Sequence, residues 1–250
     1  MLEIRNLTAG YGEQPVLRDI SLQFPAGKVS VLAGPNGCGK STLLKSIAGI
    51  LPAAGEIFLE GEDLGNLSPR DRARKVAFLP QSRSIPEITV RRLVLHGRFP
   101  YLTYPRQYSA ADYAAADAAL EALELTSLAD RNLASLSGGQ RQKVYIAMAL
   151  AQNTPAVLLD EPTAYLDIAH QLQLMHLARE LAHQGKTVVL VLHDLTLAME
   201  HADRLVILRE GAVAASGTAE AICQGPTIRQ VFGVGIGQTT VDGNRKYFYI

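Results

Sequence analysis

Apolar residues recur at every second position in three short pieces near the start of the chain, LEIRNL, ISLQF and KVSVLA, separated by the turn-forming stretches YGEQP and PAGK. That period predicts strands with one face on a core. The third piece runs into GPNGCGKST and then into STLLKSIAGI, whose spacing is helical as far as Gly49. GEIFLEGEDL predicts a hairpin, and KVAFLPQ a strand stopped by Pro80. From residue 83 to 152 the period lengthens to that of helices. TVRRLVLHG ends at Gly97, SAADYAAADAALEAL is alanine-rich with Ser109 as its N-cap, and LASLSGGQRQKVYIAMALA carries Val144, Ala147, Met148 and Ala151 at helical spacing. Beyond it AVLLD and TVVLVLH are unbroken apolar runs, expected of parallel strands covered on both faces. HQLQLMHLARELAHQG between them predicts a crossover helix ended by Gly185, and RLVILREGAVAASG a hairpin about Glu210 and Gly211. The last ~25 residues carry no clear period. The pattern predicts an α/β fold of two lobes: residues 1–82 with 153–250, and an all-helical insert over 83–152.

Composition narrows the chemistry. The 24 basic and 24 acidic residues cancel, which removes any global electrostatic case for nucleic acid or anionic lipid as the main partner. Cys38 and Cys223 stand far apart without metal-ligand spacing, so neither a disulfide framework nor a zinc site is expected. The N-terminus lacks the basic and apolar regions of a signal peptide, and no apolar run approaches the ~18 residues of a membrane span. A soluble, cytoplasmic chain is expected, with any membrane contact made through partners.

Gly34, Gly39, Lys40 and Ser41 satisfy G-x-x-x-x-G-K-[ST] between a strand and a helix. Glycines let successive N–H groups converge on phosphate oxygens, and the helix N-terminus favours negative charge there. Asn36, Gly37, Cys38, Gly39, Lys40, Ser41 and Thr42 are the predicted nucleotide contacts. Lys40 would neutralise the β- and γ-phosphates and Ser41 would hold Mg²⁺. Cys38 is expected to turn its N–H to phosphate and to be open to alkylation that blocks nucleotide entry.

VLLDEP puts Asp160 and Glu161 at the C-terminal end of a strand, where α/β sheets bind ligands. On an extended chain adjacent side chains point opposite ways, so Asp160 is expected to serve Mg²⁺ and Glu161 to polarise the attacking water. His193 ends the next strand and reaches the same edge, either as a packing residue or as a bridge between a γ-phosphate and water. Gln81, after VAFLP, is a candidate neutral ligand for Mg²⁺ or water, or simply a glutamine in a turn.

Together these strings resemble the nucleotide-binding subunit of an ATP-binding cassette transporter over nearly the whole chain. LSGGQ at Leu136–Gln140 is similar to the family signature, FLPQ to the Q-loop, VLLDEP to the Walker B string, AYLD at Ala164–Asp167 to the D-loop, His193 to the switch histidine and Tyr11 to the aromatic residue that stacks on adenine. The resemblance implies a P-loop ATPase with a RecA-like core, an N-terminal antiparallel β subdomain and an inserted α-helical subdomain, using ATP and Mg²⁺. It departs at the D-loop, where Ala164 and Tyr165 replace the commoner serine and alanine.

Ser137 and Gln140 are spaced as a capping box, which by itself accounts for a helix start. It does not account for Gly138 and Gly139, which weaken a first turn unless something approaches the backbone closely. In the family the signature of one subunit closes over ATP held in the other, so Ser137, Gly138, Gly139, Gln140 and Asp167 are expected to meet a partner's nucleotide in a homodimer. TVRRLVLHGRFPY and AYLDIAHQ resemble importers of iron-siderophore, haem and vitamin B12 complexes, which implies two transmembrane permease subunits, indirectly a substrate-binding protein, and a peripheral place on the cytoplasmic face of the inner membrane. The rival expectation is a soluble cassette ATPase of an assembly or nucleic-acid complex, for which residues 70–106, with nine basic residues against Asp71 and Glu87, offer a strip of charge.

Overall fold

Helix α1 (Lys40–Ile47) packs between two β-sheets in the computed structural model, which describes residues 1–12, 14–81 and 83–250. The first sheet is antiparallel. It is built from β1 (Leu2–Tyr11) and β2 (Gln14–Phe24), while β3 (Lys28–Ala33) leaves for the second sheet and β4 (Ala53–Leu59) and β5 (Glu62–Asp63) return, giving the order β2-β1-β4-β5. Glu13, within the predicted YGEQP turn, lies outside the described residues.

β1 runs past the predicted LEIRNL piece, and the reason is a slip in phase. Leu2 and Ile4 are buried, then Leu7 and Ala9, so the inward positions change from even to odd numbers. A β-bulge absorbs the extra residue, with Asn6 at φ 49° and Asp19 opposite at φ 51°. Polar side chains make up the interrupted ladder: Asn6 Nδ2 donates to Asp19 Oδ1 at 2.8 Å, and Asn6 N–H to Ser21 Oγ at 3.0 Å.

The second sheet adds β6 (Val76–Leu79), β7 (Ala156–Asp160), β8 (Thr187–Val191), β9 (Arg204–Arg209) and β10 (Ala212–Gly217) in the order β10-β9-β3-β8-β7-β6, parallel except for the β10 edge. Both faces are covered, as the unbroken apolar runs require. Val189 and Val191 of β8 turn toward α1, and Val188 and Leu190 toward the opposite core. Each such side chain contributes roughly 1.5–3 kcal/mol.

The opposite core is shared with helices. α2 (Pro69–Lys75), which the apolar pattern did not reveal, starts from the Ser68 cap with Pro69 in its first turn. α3 (Val90–His96), α4 (Ala110–Ala122) and α5 (Gly138–Ala151) follow between β6 and β7, then α6 (Ile168–His183) between β7 and β8. Ser109 caps α4 in a capping box with Asp112, as expected of it. α5 is not the one-sided helix its spacing suggests. Gln142 to Ala147 are all buried and Met148 only partly, because α3 and α4 cover one side and β6 another. α7 (Leu195–His201), α8 (Ala219–Cys223), α9 (Thr227–Phe232) and the hairpin β11 (Ile236–Val241) with β12 (Asn244–Tyr249) complete the chain.

Much of the basic strip over 70–106 is spent inside the fold. Arg70 and Arg74 donate to the Pro100 carbonyl at 2.9 Å, Arg72 to those of Ile47 and Ser46, and Arg98 to those of Ala151 and Gln152. Lys75 pairs with Glu62, Arg91 with Asp117 and Arg98 with Asp112. These contacts tie α2, the turn at Pro100 and the helices of the insert to their neighbours.

Candidate active site

The glycine loop ends at Gly39, whose φ of 108° only glycine adopts readily, and this turns the chain into α1. Lys40 follows as the first helical residue and is 6% exposed. Its ammonium donates to the carbonyls of Gly34 at 2.7 Å and Pro35 at 2.9 Å, so the cation closes the loop on itself. A cleft of ≈ 420 Å³ opens above it, lined by Tyr11, Val16, Asn36, Gly37, Gly39, Lys40, Ser41, Thr42, Gln81, Glu161 and His193. Ten of those eleven are predicted site residues; Val16 is new, and its apolar side chain in β2 gave no signal of a ligand. Tyr11 is half-exposed, and its hydroxyl accepts from Lys45 Nζ at 3.2 Å.

Cys38 departs from expectation. It lines a neighbouring cleft, on the Arg209 and Glu210 side of the loop, and is 5% exposed. Its N–H donates to the Pro35 carbonyl at 3.3 Å instead of pointing into the nucleotide cleft. Burial pushes the thiol pKa up, against the pull of Lys40, which makes it a poor nucleophile.

Asp160, the last residue of β7, is 1% exposed, and neither of its oxygens has a hydrogen bond of normal geometry. Burial raises its pKa; the Ser41 hydroxyl, close by, is the chief group drawing it down. An orphaned carboxylate beside a hydroxyl suits a hard divalent cation. No group of three or more His, Cys, Asp or Glu among the described residues surrounds such an ion, so the remaining ligands would be water and phosphate oxygens, as Mg²⁺ prefers.

Glu161 does diverge from Asp160, but not by strand alternation. Its φ is 52°, a left-handed conformation that is strained for a glutamate, so the chain has already left the strand. Gln81 Nε2 donates to Glu161 Oε2 at 2.6 Å, and His193 Nε2 lies 2.7 Å from Glu161 Oε1. Gln81 is therefore placed against Glu161, in the same cleft lining as Ser41. His193 stands two residues beyond the end of β8, half-exposed, at the same sheet edge.

The signature residues lie elsewhere. Ser137, Gly138, Gly139, Gln140 and Asp167 are absent from the lining of the Lys40 cleft. Ser137 and Gln140 make the full capping box. A methyl group at Gly139 would sit 3.1 Å from the Tyr165 carbonyl, so the chain's own D-loop is one of the things that approaches this backbone. At Gly138 the nearest intrachain atom is 3.7 Å away, an ordinary contact. Asp167 caps α6, accepting from His170 N–H at 2.9 Å.

Sequence reasoning passed over a polar strut behind these loops. Arg83 lies 4.6 Å over the Tyr145 ring and donates to Gln142 Oε1 at 2.9 Å; Gln142, 4% exposed, donates to the Pro162 carbonyl at 2.7 Å. The signal was present in Gln142 and Lys143, polar residues that run on from Gln140 and Arg141 directly into the apolar part of the helix.

The family model for ABC transporters matches residues 17–164, more than half of the chain. The chain belongs to that family. As an ABC ATPase it binds and hydrolyses ATP. It is 48% identical over 91% of its length to the achromobactin transport ATP-binding protein of Dickeya dadantii, covering 86% of that protein. It is 41% identical over 91% of its length to the ferric enterobactin transport ATP-binding protein of Escherichia coli K12, covering 85%. A metal-chelate type ABC transporter in an inward-facing conformation superposes with a TM-score of 0.84 at 30% identity, covering 100% of this chain and 96% of that one. A dimeric bacterial ABC transporter cassette gives 0.78 at 31% identity, covering 88% and 99%. Among the described residues of this ABC ATPase no helix is long and apolar enough to cross a membrane.

Proposed function

We propose that this ABC ATPase energises import of a metal chelate, an iron-siderophore first and a haem or cobalamin complex next, across a bacterial inner membrane. The relatives named for achromobactin and ferric enterobactin transport support the cargo class. The observation that carries the chemistry is the Glu161 carboxylate held between Gln81 and His193 at the rim of the Lys40 cleft. Glu161 would orient the attacking water, with His193 holding the carboxylate in place and sensing the γ-phosphate, and Lys40 would draw charge from the β- and γ-phosphates. Mg²⁺, held by Ser41 and Asp160 with Gln81 near, would supply Lewis-acid stabilisation of the transferring phosphoryl group.

The separation of Ser137–Gln140 from the Lys40 cleft supports a site completed by a second copy of the chain. Two cassettes closing on ATP would then swing two permease subunits between access states, so the protein works at the cytoplasmic face of the membrane, fed by a substrate-binding protein. Residues 1–82 with 153–250 act as the catalytic lobe and 83–152 as the helical lobe. Purification of the tagged chain in mild detergent, with partners identified by mass spectrometry and turnover assayed in the complex, tests the reading. A polytopic permease that raises turnover is the expected result; soluble partners only, or nucleic acid, would overturn the transport assignment and leave the ATPase.

A further inference from the structure

The C-terminal hairpin lies beyond the residues matched by the family model and carries none of the motifs. We infer that it is a positioning element for His193, acting through the Tyr249 hydroxyl on the backbone of Leu195; this rests on the catalytic role proposed for that histidine.

The loop bearing His193 is short and held at both ends. On one side, Leu192 N–H donates to the Leu32 carbonyl at 3.4 Å, which ties the exit of β8 to β3. On the other, α7 begins at Leu195, so only His193 and Asp194 lie between the two anchors. A helix start leaves its first N–H groups without partners inside the helix. Asp194 Oδ1 takes those of Thr196 at 2.8 Å and Leu197 at 3.1 Å. The Leu195 N–H, which Asp194 does not take, donates to Tyr249 Oη at 3.3 Å. The outermost anchor of the loop therefore comes from the other end of the chain.

The hairpin is itself fastened where it must be to do this. Gly235 and Ile250 exchange both backbone hydrogen bonds at its open end, next to Tyr249. Tyr247 is 8% exposed and belongs to the core that includes Ala198 and Met199 of α7. Lys246 pairs with Glu200 of α7 at 2.6 Å, and Arg245 pairs with Glu220 of α8. Only Asp194 separates Leu195 from His193, so a shift at Leu195 must be taken up by the few backbone dihedrals that set the position of His193. His193 has little margin, because its contact with Glu161 is 2.7 Å.

Tyr249→Phe removes the acceptor and keeps the ring. The full-length variant is compared with the parent and with His193→Ala, at protein concentrations where turnover per chain has stopped rising. The expected results are exchange of the Leu195 amide faster by roughly 2- to 10-fold, the worth of one net hydrogen bond, a lower kcat with KM for ATP unchanged, and a melting temperature lowered by no more than about 2–4 °C. Tyr249→Phe added to His193→Ala should leave the residual single-turnover rate of that variant unchanged, whereas a merely structural role would lower it further. Wild-type kcat in Tyr249→Phe, while His193→Ala has lost turnover, would overturn the inference and leave His193 in its role. Normal turnover in His193→Ala would remove the role itself, and the inference with it.

Discussion

Arg98 joins three helices of the insert at one point, and its removal has a cost that can be worked from the structure. Its guanidinium meets Asp112 at 2.9 Å with side-chain exposures of 13% and 9%, donates to the Ala151 and Gln152 carbonyls at the end of α5, and lies 3.9 Å from the Tyr101 ring centroid. Arg98→Met loses three hydrogen bonds from a charged donor, each worth about 1.5–3 kcal/mol at most and not additive in full. Asp112 keeps the Ser109 N–H and hydroxyl, at 2.9 and 2.7 Å, so it is not left bare. The net loss expected is about 3–5 kcal/mol, the range for breaking a buried pair, read as a lower urea midpoint with unchanged slope. Burial pushes the Asp112 pKa up, but the Ser109 bonds and Arg98 overcome it and hold the carboxyl below the usual range. A depressed folded-state pKa adds stability above the unfolded value of about 3.9 and loses it as pH falls toward the folded value. The gap between parent and variant should therefore narrow below about pH 4. A loss under about 1 kcal/mol at neutral pH, the value of an exposed pair, would refute the claim that this pair is shielded from solvent.

Three further outcomes are expected. Glu161→Gln should retain ATP binding, measured by equilibrium titration, and lose about 100-fold or more in kcat; normal turnover would remove Glu161 from the reaction. Gly138→Ala should leave the melting temperature unchanged or raised, by up to about 1 kcal/mol of helix propensity, since the nearest intrachain atom is 3.7 Å away, whereas Gly139→Ala must displace the Tyr165 carbonyl. Lost turnover in a stable Gly138→Ala would then point to a surface outside the chain, and full turnover would discount a partner's approach there. Thiol labelling of the native protein followed by peptide mapping should modify half-buried Cys223 before Cys38, contrary to what the sequence suggested, and rapid labelling of Cys38 would show that the glycine loop opens.

Most strands were legible because their burial is periodic and local: β7 and β8 are apolar on both faces and could only be covered on both, whereas β3, whose alternation predicts one covered face, is buried on both from Val29 onward. The cradle was legible for a related reason, since Gly39, Lys40 and Ser41 are consecutive residues whose geometry is set by a single turn. Where the period slipped, as in β1 at Asn6, the sequence looked like the end of a strand, and only the Asp19 and Ser21 partners across the sheet made it a bulge. α5 was misjudged because burial on all sides depends on what α3, α4 and β6 bring to it, which no helical period records. The same division holds at the site. Residue type and chain order determined that Lys40, Asp160, Glu161 and His193 belong to one sheet edge. Which of them touch was decided by tertiary structure: the left-handed turn at Glu161, the Gln81 amide against its carboxylate, the burial of Cys38 and the Tyr249 hydroxyl on Leu195 all join positions that only packing makes neighbours. Hydrogen bonds reach across about 3 Å of space regardless of separation along the chain, and a sequence pattern carries only the separation.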